Sequence, residues 1–297
     1  MFENVVVGVD EHQGGRDAIA LAKHLAARYA TVRLAHIYRP APAPGSSGLS
    51  DRAEHDRWHE LLAASRKEAD IEARLTCVPS SSAGRGLHQV AEVKRADLLV
   101  VGSSRRGLLG RVLLGDDTHA ALNGAPCAVA IAPAGYAHKP AMMREIGVGY
   151  NGSPESEHAL EFAARLASEH GAKLSAFEAV SLPTYLFAGG PAPVDLAIED
   201  MVKDARERLA ALDGIEPHAA YGHPAEELAL YSASLDLLVI GSRGYGPIRR
   251  LVHGSTSHQL TRTARCPLLV LTRAARSADA ARVSLDEREN AGAGTPA

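Results

Sequence analysis

The residues best suited to chemistry are Gly241-Ser242-Arg243-Gly244 and, after nine intervening residues, Gly254-Ser255-Thr256. Glycine lets a backbone approach an anion closely. A helix N-terminus offers unpaired N–H groups backed by the positive end of the helix dipole. The hydroxyls of Ser255 and Thr256 can bond a phosphate oxygen or cap the helix that opens there. The chemistry expected of this stretch is therefore phosphate binding. Arg243, Arg249 and Arg250 flank it and could reach phosphates as forked donors, or stand as solvated loop charges.

Such a site needs a strand before it and a helix behind it. Leu235-Asp236-Leu237-Leu238-Val239-Ile240 is an apolar run that reads as a buried parallel strand. A helical pattern follows from Ser255. The same arrangement stands earlier in the chain. Ala96-Asp97-Leu98-Leu99-Val100-Val101-Gly102-Ser103 repeats as the 235–242 run, and Cys127 recurs as Cys266, at a constant offset of 139 residues. A repeat this long is a duplicated domain.

In the first half Asn4-Val5-Val6-Val7-Gly8-Val9-Asp10 reads as a strand ending in a turn. A helix is expected from about 14 to 29, a strand over 32–37, a Pro/Gly/Ser loop over 40–48, a polar helix over 51–71 and a strand over 73–78. A short helix over 86–94, the Asp97 strand, the glycine loop, a helix from Asp116 and a strand over 127–131 complete the unit. The second half opens at Glu145-Ile146-Gly147-Val148-Gly149-Tyr150-Asn151-Gly152. Its first helix has Ser153 as N-cap and Pro154 in the first turn, and its own Pro/Gly loop spans 181–193. This alternation predicts an α/β fold with parallel strands and helices on both faces. Ligands then sit beyond the carboxyl ends of the strands, at the switch point.

The spacing Gly-x-x-Gly, nine residues, then Gly-Ser resembles the nucleotide-binding signature of the universal stress protein family. Ala264-Arg265-Cys266-Pro267-Leu268-Leu269-Val270-Leu271 resembles that family's last helix-to-strand passage. The resemblance covers nearly the whole chain. It implies two tandem Rossmann-like domains of the adenine nucleotide alpha hydrolase type, each a five-stranded parallel sheet with helices on both faces. The expected domains are 1–133 and 144–273, with a linker over 134–143 and a disordered tail over 274–297. It further implies ATP at the strand ends and a nucleotide-responsive role in stress; Mg²⁺ could accompany the nucleotide. As sheet edges, the last strands of the two units could pair with each other or with another copy, and the resemblance implies dimer formation through that edge.

The two halves match the signature unequally. Gly241, Gly244, Gly254 and Ser255 fit it. In the first half Gly102 and Gly115 fit, but Arg105 replaces the second glycine and Asp116-Asp117 replaces Ser-Thr. A carboxylate ~4 Å from a phosphate oxygen costs roughly 4 kcal/mol at an effective dielectric of about 20, or about three decades in affinity. Arg105, Arg106 and Arg111 or a bridging Mg²⁺ could offset part of that, and Asp116 is also a good N-cap. The second half is therefore expected to be the stronger site. Asp10 matches the acidic residue that the family places beside the nucleoside, and the second half has Asn151 there. Turn and cap chemistry is the alternative role for both.

Composition narrows the function. A net charge of −3 argues against a nucleic-acid surface. Three widely spaced cysteines suit a reduced, cytoplasmic protein. Neither a signal peptide nor a membrane-length apolar run is expected. Cys127 and Cys266 read as small core residues. His55 and His59 have possible metal spacing but no evident third ligand, so neither a metal site nor a catalytic group is assigned. No positioned acid/base pair marks a dedicated hydrolase. Slow ATP hydrolysis or autophosphorylation at Ser255 or Thr256, and a partner-binding module in which nucleotide is structural or absent, are the alternative functions.

Overall fold

A computed structural model describes residues 1–39, 48–103, 124–140, 142–181, 194–242 and 256–272. The apolar runs become strands that hide both faces. In the first half these are β1 (Phe2–Gly8), β2 (Ala26–Tyr38), β3 (Arg74–Pro79), β4 (Leu98–Gly102) and β5 (Ala128–Ala132). Helices α1 (Gln13–Leu25), α2 (Gly48–Glu68) and α3 (Ala83–Val93) connect the first four. The second half has β6 (Glu145–Gly149), α4 (Pro154–His170), β7 (Lys173–Val180), α5 (Val194–Ala210), β8 (Glu216–Tyr221), α6 (Pro224–Tyr231), β9 (Leu237–Gly241), α7 (Thr256–Thr263) and β10 (Leu268–Leu271).

All ten strands form one sheet in the order β3-β2-β1-β4-β5-β10-β9-β6-β7-β8. Within each half every pair is parallel. At the centre β5 and β10 pair antiparallel, with Leu269 opposite Ala130. Both edges of both central strands are thus occupied within one chain, which realises the intrachain form of strand-five pairing. One face of the sheet is covered by α1, α2, α4 and α5 through Ile19, Leu21, Leu62, Leu166 and Leu209. The other is covered by α3, α6 and α7 through Leu87, Val90, Leu228 and Leu260. Core clusters on both faces and a sheet parallel within each half are the α/β layering expected of buried parallel strands.

The repeated aspartates of the duplicated motif are structural. Asp97 accepts from the amides of Glu3 and Asn4, each at 2.9 Å. Asp236 accepts from Arg144 and Glu145 at 2.7 and 3.0 Å. Each carboxylate thereby ties the approach to its half's fourth strand to the start of its first.

Several elements differ from the expectation. Helix α1 stops at Leu25, its last core residue, rather than at Tyr29, which is almost fully exposed. The chain becomes extended at Ala26, which pairs with Phe2, and the register slips before Asn4 meets Thr31. The segment expected as a bare linker holds a 3₁₀ turn over Tyr136–His138 with Tyr136 buried. Its anchor is Asp17 of α1, wholly buried. Asp17 accepts from the amides of Gly135 and Ala137, both at 2.8 Å, and from the Gln13 side chain at 3.1 Å. A carboxylate in the middle of an apolar helix face is sustained by those donors. Most of the two Pro/Gly loops, the helix expected from Asp116 and the expected tail lie outside the described residues.

Candidate functional site

In each half the first and fourth strands are neighbours, and the chain departs from them in opposite directions. A crevice beyond their carboxyl ends follows from that topology. Asp10 and Gly102 stand at one such place, and Asn151 and Gly241 at the other. Because the halves run antiparallel where they meet, the two crevices open at opposite edges of the sheet.

Gly102 and Gly241 end β4 and β9, and each is held by a neighbouring helix. A Cβ on Gly102 would lie 2.1 Å from the Gly14 carbonyl oxygen, and one on Gly241 would lie 2.2 Å from that of Glu155. The first turns of α1 and α4 rest directly on these strand ends. The following amides are also engaged, Ser103 with Ala132 and Ser242 with Leu271, both at 2.9 Å. Close approach of an anion was the sequence-based reason for these glycines. Among the described residues, what each of these glycines makes room for is a turn of the neighbouring helix. Gly244, Gly254, Ser255 and Gly115 lie outside the described residues, as do Arg105, Arg106, Arg111, Asp116, Arg243, Arg249 and Arg250.

Asp10 and Asn151 both shape the helix start. The Asp10 carboxylate accepts from the amides of His12 and Gly15 at 3.0 and 3.1 Å. Asn151 accepts from the Ser153 amide at 3.2 Å and its hydroxyl at 2.6 Å. Ser153 is the N-cap of α4 and accepts from Ser156, as expected, with Pro154 in the first turn. Both 10 and 151 are exposed. Thr256 is the first residue of α7, half-buried, in a first turn without an acidic residue.

The ends of the two second strands differ in a way that the sequence motifs do not show. Val9 donates to Ala35, and Tyr150 donates to Phe177, which makes His36 and Glu178 equivalent. His36 is buried, and its Nδ1 donates to the Val9 carbonyl at 2.7 Å. Its ring stacks on Trp58 of α2 with centroids 4.0 Å apart. Burial pushes the His36 pKa down against the opposing pull of the Val9 bond and the charges of Asp10 and Glu11. At the same place the second half has Glu178 in an ion pair with Arg208 at 2.8 Å. Trp58 is the chain's single tryptophan, and its place in a polar helix was the available signal.

Cys127 and Cys266 are buried under the strand starts, and burial raises both thiols, Cys127 to about 12. They remain thiols at neutral pH, in keeping with core roles. His55 and His59 stack with centroids 6.2 Å apart, and among the described residues no group of three or more His, Cys, Asp or Glu side chains could hold a metal. No helix among them is long and apolar enough to cross a membrane.

The model of the universal stress protein family matches this chain twice, over residues 1–133 and 142–272. The chain belongs to the universal stress protein family. A universal stress protein of Mycobacterium tuberculosis is 32% identical over 187 residues, which is 59% of this chain and 61% of that relative. The match thus spans less than two thirds of that relative's length. Another from the same organism is 27% identical over 294 residues, covering 90% of this chain and 99% of the relative. A crystal structure of a universal stress protein from Archaeoglobus fulgidus superposes with a TM-score of 0.64 at 16% identity, covering 91% of this chain and 98% of that one. At that identity the likeness concerns the fold, and it agrees with two tandem universal stress protein domains.

Proposed function

We propose that this universal stress protein binds ATP in the crevice of its second half and acts as a nucleotide-responsive regulator in the stress response. The observation that carries the proposal is the position of Gly241. It ends β9 beside β6 at the switch point, and the full Gly-x-x-Gly, nine residues, Gly-Ser motif runs on from it into α7. Asn151 and Ser242 just beyond β6 and β9, and Ser153 and Thr256 at the starts of α4 and α7, carry neutral donors and acceptors that suit a nucleoside. Glu155 and Glu157 make the first turn of α4 acidic, whereas the first turn of α7 carries no acid. That charge pattern favours phosphate on the α7 side. Gly254, Ser255 and Thr256 would hold it, and Asn151 would face the nucleoside.

The first half is the weaker site in this reading. Arg105 and Asp116 depart from the motif, and the Asp10 carboxylate already serves the α1 N-terminus. Three unpaired cysteines fit a reducing, cytoplasmic setting. Calorimetric titration of ATP with Mg²⁺ into nucleotide-stripped protein tests the proposal. Saturable binding that disappears in Gly254→Asp supports it. Absence of binding at millimolar ATP would favour a partner-binding module instead.

A further inference from the structure

Where strands begin and helices end, opposite the nucleotide crevice of each half, the two halves differ in charge. The first half supplies its own cations there. Lys23 lies in the last turn of α1, and Arg66 and Lys67 in that of α2. The Lys23 ammonium donates to the Ala69 carbonyl just beyond α2 at 2.9 Å, and the Arg66 guanidinium donates to the Ala73 carbonyl at 3.3 Å. A lysine arm thus bridges the ends of α1 and α2, where a cation is favoured by the helix dipoles. The second half lacks that arm. Gly14 and Glu155 rest on the equivalent glycines Gly102 and Gly241, so Ala164 of α4 holds the place of Lys23 in α1. Likewise Arg74 opens β3, whereas Glu216 opens β8. In place of the bridge is a cavity of about 640 Å³ between the ends of α4 and α5. Ala164 and Ser168 wall it on the α4 side, and Leu212 and Asp213 on the α5 side.

We propose that this cavity binds a linear aliphatic amine, which does between α4 and α5 what the Lys23 side chain does between α1 and α2. The wall has the two parts such a ligand needs. Leu174, Leu212 and Ile215 line it, each partly buried against the core, and offer an apolar surface to methylene groups. Three charged side chains also line it. Lys173 is held by Glu145 at 3.2 Å, and Glu216 lies 3.3 Å from the His218 ring. Asp213 has no ion-pair partner among the described residues, and it follows directly on the end of α5. The ammonium therefore meets the Asp213 carboxylate and the negative ends of two helices of 17 residues each. A metal ion would leave the apolar wall unused, whereas an alkyl arm covers it.

The probe is cadaverine, which is lysine without its carboxylate, titrated by calorimetry into the full chain at low salt. One saturable site per chain is expected. Ala164→Lys restores the arm that the first half uses and should abolish binding. Position 164 is exposed on a helix, and lysine is a good helix former, so this variant should fold. Asp213→Asn should weaken binding about fivefold, the effect of one exposed charge pair. Amide chemical shifts on titration should move at 164–174 and 210–216. No saturable binding, or binding undiminished in Ala164→Lys, would overturn the proposal. Shifts spread over the acidic surface would mark unspecific attraction and overturn it as well.

Discussion

The two halves open their first helices with different residues doing the same work. In the first, the Asp10 carboxylate accepts the His12 and Gly15 amides, and the first turn of α1 has no acidic residue. In the second, Asn151 brings no charge, and Ser153, Pro154, Glu155 and Glu157 supply the cap and the negative first turn. Both solutions complement the helix dipole. The exchange of Asp for Asn thus has a structural account that is independent of any ligand. The duplicated glycines behave alike, because each seats a helix turn that a Cβ would displace. What separates the halves lies elsewhere, at His36 with Trp58 against Glu178 with Arg208, and in the loop residues Arg105 and Asp116 against Gly244 and Ser255.

That division predicts which substitutions act equally in both halves. Gly102→Ala and Gly241→Ala should each cost about 3 kcal/mol, since the clash is with backbone that has little room to yield. Chemical denaturation would show it, and a cost in one half alone would break the equivalence. Asp17→Ala should cost about 2–3 kcal/mol by stranding the Gly135 and Ala137 amides. It has no mirror, because His158 occupies the corresponding place in α4. A smaller loss for Asp17→Asn than for Asp17→Ala would confirm the acceptor role. Asp97→Ala and Asp236→Ala should each cost about 1–2 kcal/mol, and nearly the same amount, because each removes two charge-assisted bonds to strand-start amides. The smallest effect is expected for Arg208→Ala, under about 1 kcal/mol, since the guanidinium is more than half exposed.

Much of this was legible in the sequence. The unbroken apolar runs at 98–101 and 237–240 could be little other than doubly covered parallel strands, and the constant offset showed the duplication. Ser153 and Pro154 announced a helix start through local chemistry alone. Other features depend on distant partners. The end of α1 at Leu25 follows from the strand that pairs with Phe2, and nothing local forbids another helical turn through Tyr29. Asp17 looked like one more helix residue, and its meaning comes from a turn about 120 residues later. Gly102 and Gly241 were identified as special, but their described role is packing against residues that a motif does not include. His36 became notable only when α2 brought Trp58 over it.

The proposed site in the second half would hold one nucleotide per chain. Native mass spectrometry of stripped protein with ATP and Mg²⁺ counts it directly, on the wild type and on Gly254→Asp and Gly115→Asp. A single bound nucleotide is expected, lost in Gly254→Asp and kept in Gly115→Asp. Two nucleotides per chain, or one that survives Gly254→Asp and disappears in Gly115→Asp, would contradict it.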